Sequence, residues 1–113
     1  MGFDLLQRAV EAGRLRREAA RQQTIGRVEA SLEQLTPNFG LDEVYLFGSI
    51  LRAGRFTERS DVDLAVEELG ADYWAFLARV SELVGREVDL VELAGCRFAA
   101  RIRREGRRWT PKA

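Results

Sequence analysis

Three aspartates have the type and spacing to do chemistry. Asp61 and Asp63 open the run Asp61-Val62-Asp63-Leu64-Ala65-Val66, whose alternation has the period of a strand. Residues i and i+2 of a strand project from one face, so both carboxylates point the same way. Asp89 stands in Val88-Asp89-Leu90-Val91, a second β-prone run. An acid among Val and Leu is costly without a partner. If the two strands are neighbours, three like charges converge, and a divalent cation relieves that repulsion best. The chain has no histidine and one cysteine, Cys96. A Ser-His-Asp triad, a Cys-His pair, histidine-ligated zinc and an internal disulfide are thereby excluded. Acid–base and metal chemistry falls to carboxylates. An Asp-x-Asp at a strand start is also a common turn or cap; the third aspartate and the preceding loop favour a metal site.

That preceding loop begins with Gly48-Ser49, directly after the apolar run Val44-Tyr45-Leu46-Phe47. Glycine lets the backbone approach an anion closely, and N–H groups at a helix start attract phosphate. Serine adds a hydroxyl donor. Most strand-Gly-Ser-helix junctions bind nothing. Here the junction lies twelve residues before the aspartate pair. A phosphate-binding turn beside metal-binding carboxylates is what a nucleoside triphosphate with magnesium requires.

The segment Leu46-Phe47-Gly48-Ser49-Ile50-Leu51-Arg52-Ala53-Gly54, followed by Ser60-Asp61-Val62-Asp63-Leu64, resembles the signature of the DNA polymerase β-like nucleotidyltransferases. The later Val88-Asp89-Leu90-Val91 and the small size are similar to the minimal nucleotidyltransferase branch, and the resemblance runs from Val44 to Trp109. It implies a nucleotidyltransferase fold and a mechanism. Asp61 and Asp63 would hold two Mg²⁺ ions. Asp89 would bind one of them and help deprotonate an attacking hydroxyl. Gly48 and Ser49 would grip the β- and γ-phosphates of ATP, and pyrophosphate would leave the α-phosphate. Arg52 or Arg55 would touch the triphosphate or stay solvated. In one respect the chain departs from the pattern: the family carries Arg-Gly about three residues past the serine, where this chain has Arg52-Ala53-Gly54.

The elements that must position these residues are legible around them. From Asp4 to Leu35, apolar residues recur at three- and four-residue steps, which predicts a helix. Gly13, Thr24 and Gly26 are candidate break points, and Pro37, Asn38 and Gly40 mark its end. Unbroken, it would be about 48 Å long at about 1.5 Å per residue. A domain this small has a radius of gyration of only about 13–14 Å. The helix must therefore break, or project and pack on something else; the second is preferred. A helix from Asp72 to Gly85 is apolar over a wide arc, with Tyr73, Trp74 and Phe76 expected in the core. A last helix spans Arg97 to Glu105, with Phe98, Ile102 and Trp109 on its apolar side. The order helix, strand, short helix, strand, helix, strand, helix predicts an α+β (α/β) domain: a small mixed sheet with helices packed on one face. Residues 1–40 read as a helical extension and 41–113 as the nucleotidyltransferase domain.

The formal net charge of zero hides a pattern: Asp42 to Glu92 carries −7, and Leu93 to Ala113 carries +6. No apolar run approaches the roughly 20 residues of a membrane span, and a cytoplasmic protein is expected. No acceptor-binding domain fits in 113 residues, so the acceptor is expected on another chain. Minimal-branch members are similar to antitoxins paired with HEPN-type ribonuclease toxins, which they inactivate by AMP transfer; a helical HEPN-type partner is the leading expectation. A homo-oligomer through the N-terminal helix is the other use for that surface. A non-catalytic antitoxin acting by contact is the alternative function. The arginines of the C-terminal segment suggest nucleic acid, but the chain as a whole is neutral and protein contact or solvation is preferred.

Overall fold

The computed structural model describes residues 2–112. Helix α1, Gly2–Phe39, is unbroken over 38 residues. Its second half packs inward through Ile25, Val28, Leu32 and Leu35, all buried, at the spacing of one helical stripe. Thr24 does not break the helix. Its hydroxyl donates to the Ala20 carbonyl at 2.8 Å, and Ser31 and Thr36 bond back to Arg27 and Leu32 in the same way. These buried hydroxyls need no partner outside the helix, so packing overrides their preference for caps. Pro37 lies inside the last turn instead of ending the helix before it. The stop comes at Gly40, whose φ of +67° permits a bond from the Leu41 N–H to the Thr36 carbonyl.

Strand β1, Val44–Phe47, leads into a single 3₁₀ turn, Gly48–Leu51. Strand β2 is Val62–Val66, helix α2 is Tyr73–Val84, and strand β3 is Val88–Glu92. A short helix α3, Ala99–Glu105, precedes strand β4, Arg107–Trp109. The sheet has the order β3-β2-β1-β4. β1 is antiparallel to β2 and to β4, and β2 is parallel to β3, the crossover being α2. The chain is thus an α+β fold with a small mixed sheet and a long N-terminal helix, as the element order suggested.

Alternation along the strands sorts the side chains onto two faces. Val44, Leu46, Val62, Leu64, Val66, Val88 and Leu90 meet α1 and α2 in the main core. Tyr45 and Ala65 face the other way and pack with Leu93 and Ile102 beneath α3. The two longer helices therefore share one face, and only the short α3 touches the opposite one.

Three expectations change. Trp109 is not on a helix but on β4, opposite Val44, and is buried in the main core. Phe98 is exposed and not packed under α3. Trp74 is 74% exposed, because α2 buries one stripe, Phe76, Val80 and Val84. The Trp74 ring stands edge-on to Tyr73, with centroids 4.9 Å apart.

The molecule measures 59 × 27 × 26 Å, and the long axis reflects α1. Its first turns project with Phe3, Leu5, Leu6, Val10 and Leu15 exposed.

Candidate active site

Strand pairing assembles the site at one end of the sheet. β1 ends where β2 begins, with Phe47 opposite Asp63. β3 begins beside the start of β2, with Asp63 opposite Asp89. Neighbouring strands are about 4.8 Å apart, so paired side chains on one face are adjacent. Asp63 lies on the face of Tyr45 and Ala65, away from α1 and α2. Asp89 shares that face. Asp61 precedes Asp63 by two residues and adds to the same charge cluster.

The electrostatics record this crowding. The Asp63 carboxyl is pushed up from its ordinary 3.8 to about 6, first by burial, then by the charges of Asp89 and Asp61. Asp63 and Asp89 are also close enough to share a hydrogen bond, which further favours the protonated Asp63. Asp61 acts on Asp63 by charge alone. Among the described residues, no three carboxylate, cysteine or histidine groups are gathered into a finished metal cage. What is in place is a carboxylate pair with a third acid beside it. All donors are hard oxygens, and their mutual repulsion is what a divalent cation removes, so the donor set fits such an ion.

Gly48 forms the wall next to Asp63. Its φ is +79°, and a β-carbon there would overlap Asp63 Oδ2 and lie 3.1 Å from its Cγ. Both constraints demand glycine. The turn that follows carries Ser49, half-buried, and closes with the Arg52 N–H on the Ser49 carbonyl at 3.0 Å. Arg52 itself is exposed. Arg52-Ala53-Gly54 lies just beyond the 3₁₀ turn, in a turn of its own. Arg55 N–H bonds to the Arg52 carbonyl at 3.1 Å, and Gly54 supplies the positive φ, +83°.

The sequence reading missed several residues that hold this arrangement. Arg21 of α1 donates to the Ile50 carbonyl at 2.8 Å, tying the long helix to the 3₁₀ turn, and Glu18 fixes its guanidinium at 2.7 Å. Arg86 donates to three carbonyls of the loop before Asp61: Thr57 at 3.0 Å, Glu58 at 3.3 Å and Ser60 at 2.9 Å. The same guanidinium lies 4.5 Å from the centre of the buried Phe56 ring. Tyr73 donates its hydroxyl to the Leu90 carbonyl at 2.6 Å and steadies β3 one residue past Asp89. An arginine among many, or a tyrosine at a helix start, carries no signal of such a role. Only the partner carbonyls reveal it.

A strand-Gly-Ser turn packed against an Asp-x-Asp strand, with a third aspartate on the neighbouring parallel strand, is a specific arrangement. The family described as polymerase beta, nucleotidyltransferase, matches residues 31–109 of the chain. The chain belongs to this nucleotidyltransferase family. No significant match is found among curated proteins or among solved structures. The family match begins inside the part of α1 that packs in the core and ends at Trp109 of β4. In this nucleotidyltransferase the C-terminal arginines are largely paired within the chain. Arg103 meets Glu67 at 2.5 Å, Arg107 meets Glu29 at 3.2 Å, Arg108 meets Glu43 at 2.5 Å, and Arg101 meets Glu105 at 2.6 Å. Among the described residues, no helix is long and apolar enough to cross a membrane.

Proposed function

We propose that this chain is a Mg²⁺-dependent nucleotidyltransferase that moves AMP from ATP to a hydroxyl of a partner protein. The observation that carries this reading is the meeting of Asp63, Asp89 and Gly48 at one sheet end, with Asp61 alongside. Asp61 and Asp63 would hold two Mg²⁺ ions, and Asp89 would bind one of them. Bound there, the ions supply charge neutralisation and a template for in-line displacement. The Gly48 backbone and the Ser49 hydroxyl donate to the β- and γ-phosphates. Arg52, at the end of the same turn, adds a positive charge near the triphosphate. Asp89 accepts the proton of the attacking hydroxyl and aligns it. A bond forms from that oxygen to the α-phosphorus, the α–β bridge breaks, and pyrophosphate departs with the electron pair.

The acceptor is assigned to a separate chain, a helical HEPN-type protein in a cytoplasmic toxin–antitoxin pair. The exposed apolar residues at the start of α1 support a protein docking surface. The alternative is a non-catalytic antitoxin, and the altered Arg52-Ala53-Gly54 loop is what would favour it. That loop follows the 3₁₀ turn and Gly48 still abuts Asp63, which favours the catalytic reading. The test is incubation with α-labelled ATP, Mg²⁺ and the protein encoded beside this chain. Label should pass to that protein and be lost with Asp61→Asn. Transfer at the wild-type rate by a folded Asp61→Asn variant overturns the metal mechanism, and full protection by that variant in cells favours the contact-only antitoxin.

A further inference from the structure

α1 outruns its own domain. Its contacts progress toward the active-site end of the sheet. Glu33 accepts from the Lys112 N–H, Glu29 pairs with Arg107, Arg21 reaches the Ile50 carbonyl, and Gly13 to Ala20 border the loop Phe56–Arg59. The residues before Gly13 extend past that loop, for about 16 Å at about 1.5 Å per residue. The core-facing row does not stop where the domain does. Phe3, Leu6, Val10, Gly13, Arg17 and Ala20 follow at alternating steps of three and four and lead into Thr24 and the buried stripe beyond it. This is the heptad spacing of a helix that packs on another helix. Yet Phe3, Leu6 and Val10 are exposed, Phe3 by 72%. Where the row meets the domain, Gly13 and Phe56 line a cleft of about 360 Å³, whose rim carries Arg16, Arg17 and Arg59 against one acid, Glu58. Among the described residues, none of these three arginines forms an ion pair.

We propose that the occupant of this row is the same row of a second copy, paired antiparallel about a two-fold axis. The inference does not depend on the transferase reading above. With the two helices opposed, Leu6 meets Val10 of the other copy and Phe3 meets Gly13, each contact occurring twice, as a two-fold requires. The match is one of size: the largest side chain of the apolar row lies over the residue that has none. Arg17 already lies over Gly13, 3.2 Å from where a β-carbon would stand. The entering Phe3 ring therefore meets a guanidinium, a favourable cation–π pairing. Asp4, the acid in the first turn of α1, arrives at a rim of unpaired arginines. The positions flanking the seam are Gln7 and Ala9, which carry no charge, so no like-charged pair opposes the approach. A foreign helix could carry any side chains; a second copy brings Phe3 to Gly13 and Asp4 to the arginines in one register. The helix pair alone buries less than the roughly 1,200 Å² below which interfaces are weak, so association is expected at micromolar concentrations. Each tip then abuts the loop that leads to Asp61 of the other copy. Leu5 and Leu15 fall off the row and stay open to an acceptor protein.

Sedimentation equilibrium of the full chain from about 1 μM to about 1 mM tests this. The mass should rise toward twice 12.8 kDa. Val10→Asp should hold it at the monomer value, and Phe3→Ala should weaken the association roughly tenfold. Circular dichroism should show both variants folded, since neither side chain belongs to the core. Cross-linking reads the antiparallel order. Cys96→Ser removes the only native thiol. In that background, a Leu6→Cys chain mixed with a Val10→Cys chain should form a mixed disulfide on mild oxidation, faster than either chain forms one alone. A chain that stays monomeric at about 1 mM overturns the proposal. A dimer that Val10→Asp leaves intact does the same. So does faster oxidation of the Val10→Cys chain by itself, which a parallel pair would give. A monomer that uses Leu6 and Val10 to hold the protein encoded beside this chain assigns the row to the acceptor and overturns the proposal as well.

Discussion

Gly48 and Asp63 are pressed together at the mouth of the sheet, so that any side chain on the glycine would occupy the space of the aspartate's carboxylate. The proposed phosphate turn and the proposed metal carboxylate are thus a single packing unit. A change in one must displace the other.

Gly48→Ala tests that unity. The positive φ alone costs a residue with a β-carbon about 1–2 kcal/mol, and the methyl displaces Asp63. Thermal unfolding should show a loss at least that large, and nucleotide transfer should fall below detection. In an Asp63→Ala background the same substitution should cost measurably less, because the overlapping carboxylate is gone. A fully additive double-mutant cycle would contradict the contact.

The raised Asp63 carboxyl gives stability a definite pH dependence in the absence of metal. Its folded-state value lies above the unfolded one, so its contribution is full below about 3.8 and is lost as pH rises through about 6. Asp63→Asn keeps the shape without the charge. Its unfolding temperature should therefore exceed that of the wild type above pH 6, by a few degrees, and the gap should close toward pH 4. A gap that widens on acidification would refute the assignment.

Mg²⁺ should reverse that order. A cation bound at Asp61, Asp63 and Asp89 stabilises the folded chain by mass action, about 2.7 kcal/mol at a hundredfold excess over its dissociation constant. The wild type should gain unfolding temperature with added Mg²⁺, and Asp63→Asn or Asp89→Asn should gain little. Differential scanning calorimetry with and without a chelator reads this directly.

Arg86 holds the loop before Asp61 by three carbonyls. Arg86→Ala should destabilise the protein by about 1–3 kcal/mol, since carbonyl partners are lost and Phe56 loses its cover. Asp61 should also loosen. The Mg²⁺ affinity from a titration should therefore drop even after the stability loss is restored by lower temperature. Unchanged affinity would make Arg86 a purely structural residue.

Leu6 and Val10, on the projecting part of α1, are 62% and 60% exposed. Leu6→Asp with Val10→Asp should leave monomer stability within about 0.5 kcal/mol, the usual scale for surface changes. If this end docks a partner protein, the pair should abolish co-purification with it. Co-purification that survives places the partner elsewhere.

Much of this was legible along the chain because it is local. The period-two alternation at Asp61–Val66 and the β-prone run at Asp89 announce strands. Gly48-Ser49 announces a turn, and the acids announce cation chemistry, since the chain has no histidine. The path of α1 was less legible: Thr24 and Pro37 signal boundaries locally, yet a buried apolar stripe and back-bonded hydroxyls carry the helix through both. Trp109 was misplaced because a three-residue edge strand has no period of its own; it exists only by pairing with β1.

By itself the sequence determined which groups were available and which local shapes they preferred: three carboxylates on or just before two strands, a glycine where the backbone turns, and a helix too long for its domain. Tertiary structure alone decided that Asp63 faces Asp89 across a parallel pair, that Gly48 leans on Asp63, and that Arg21 and Arg86 grip the flanking loops. These are relations between residues far apart along the chain. Strand register and packing set them, and neither has a signature within a single segment.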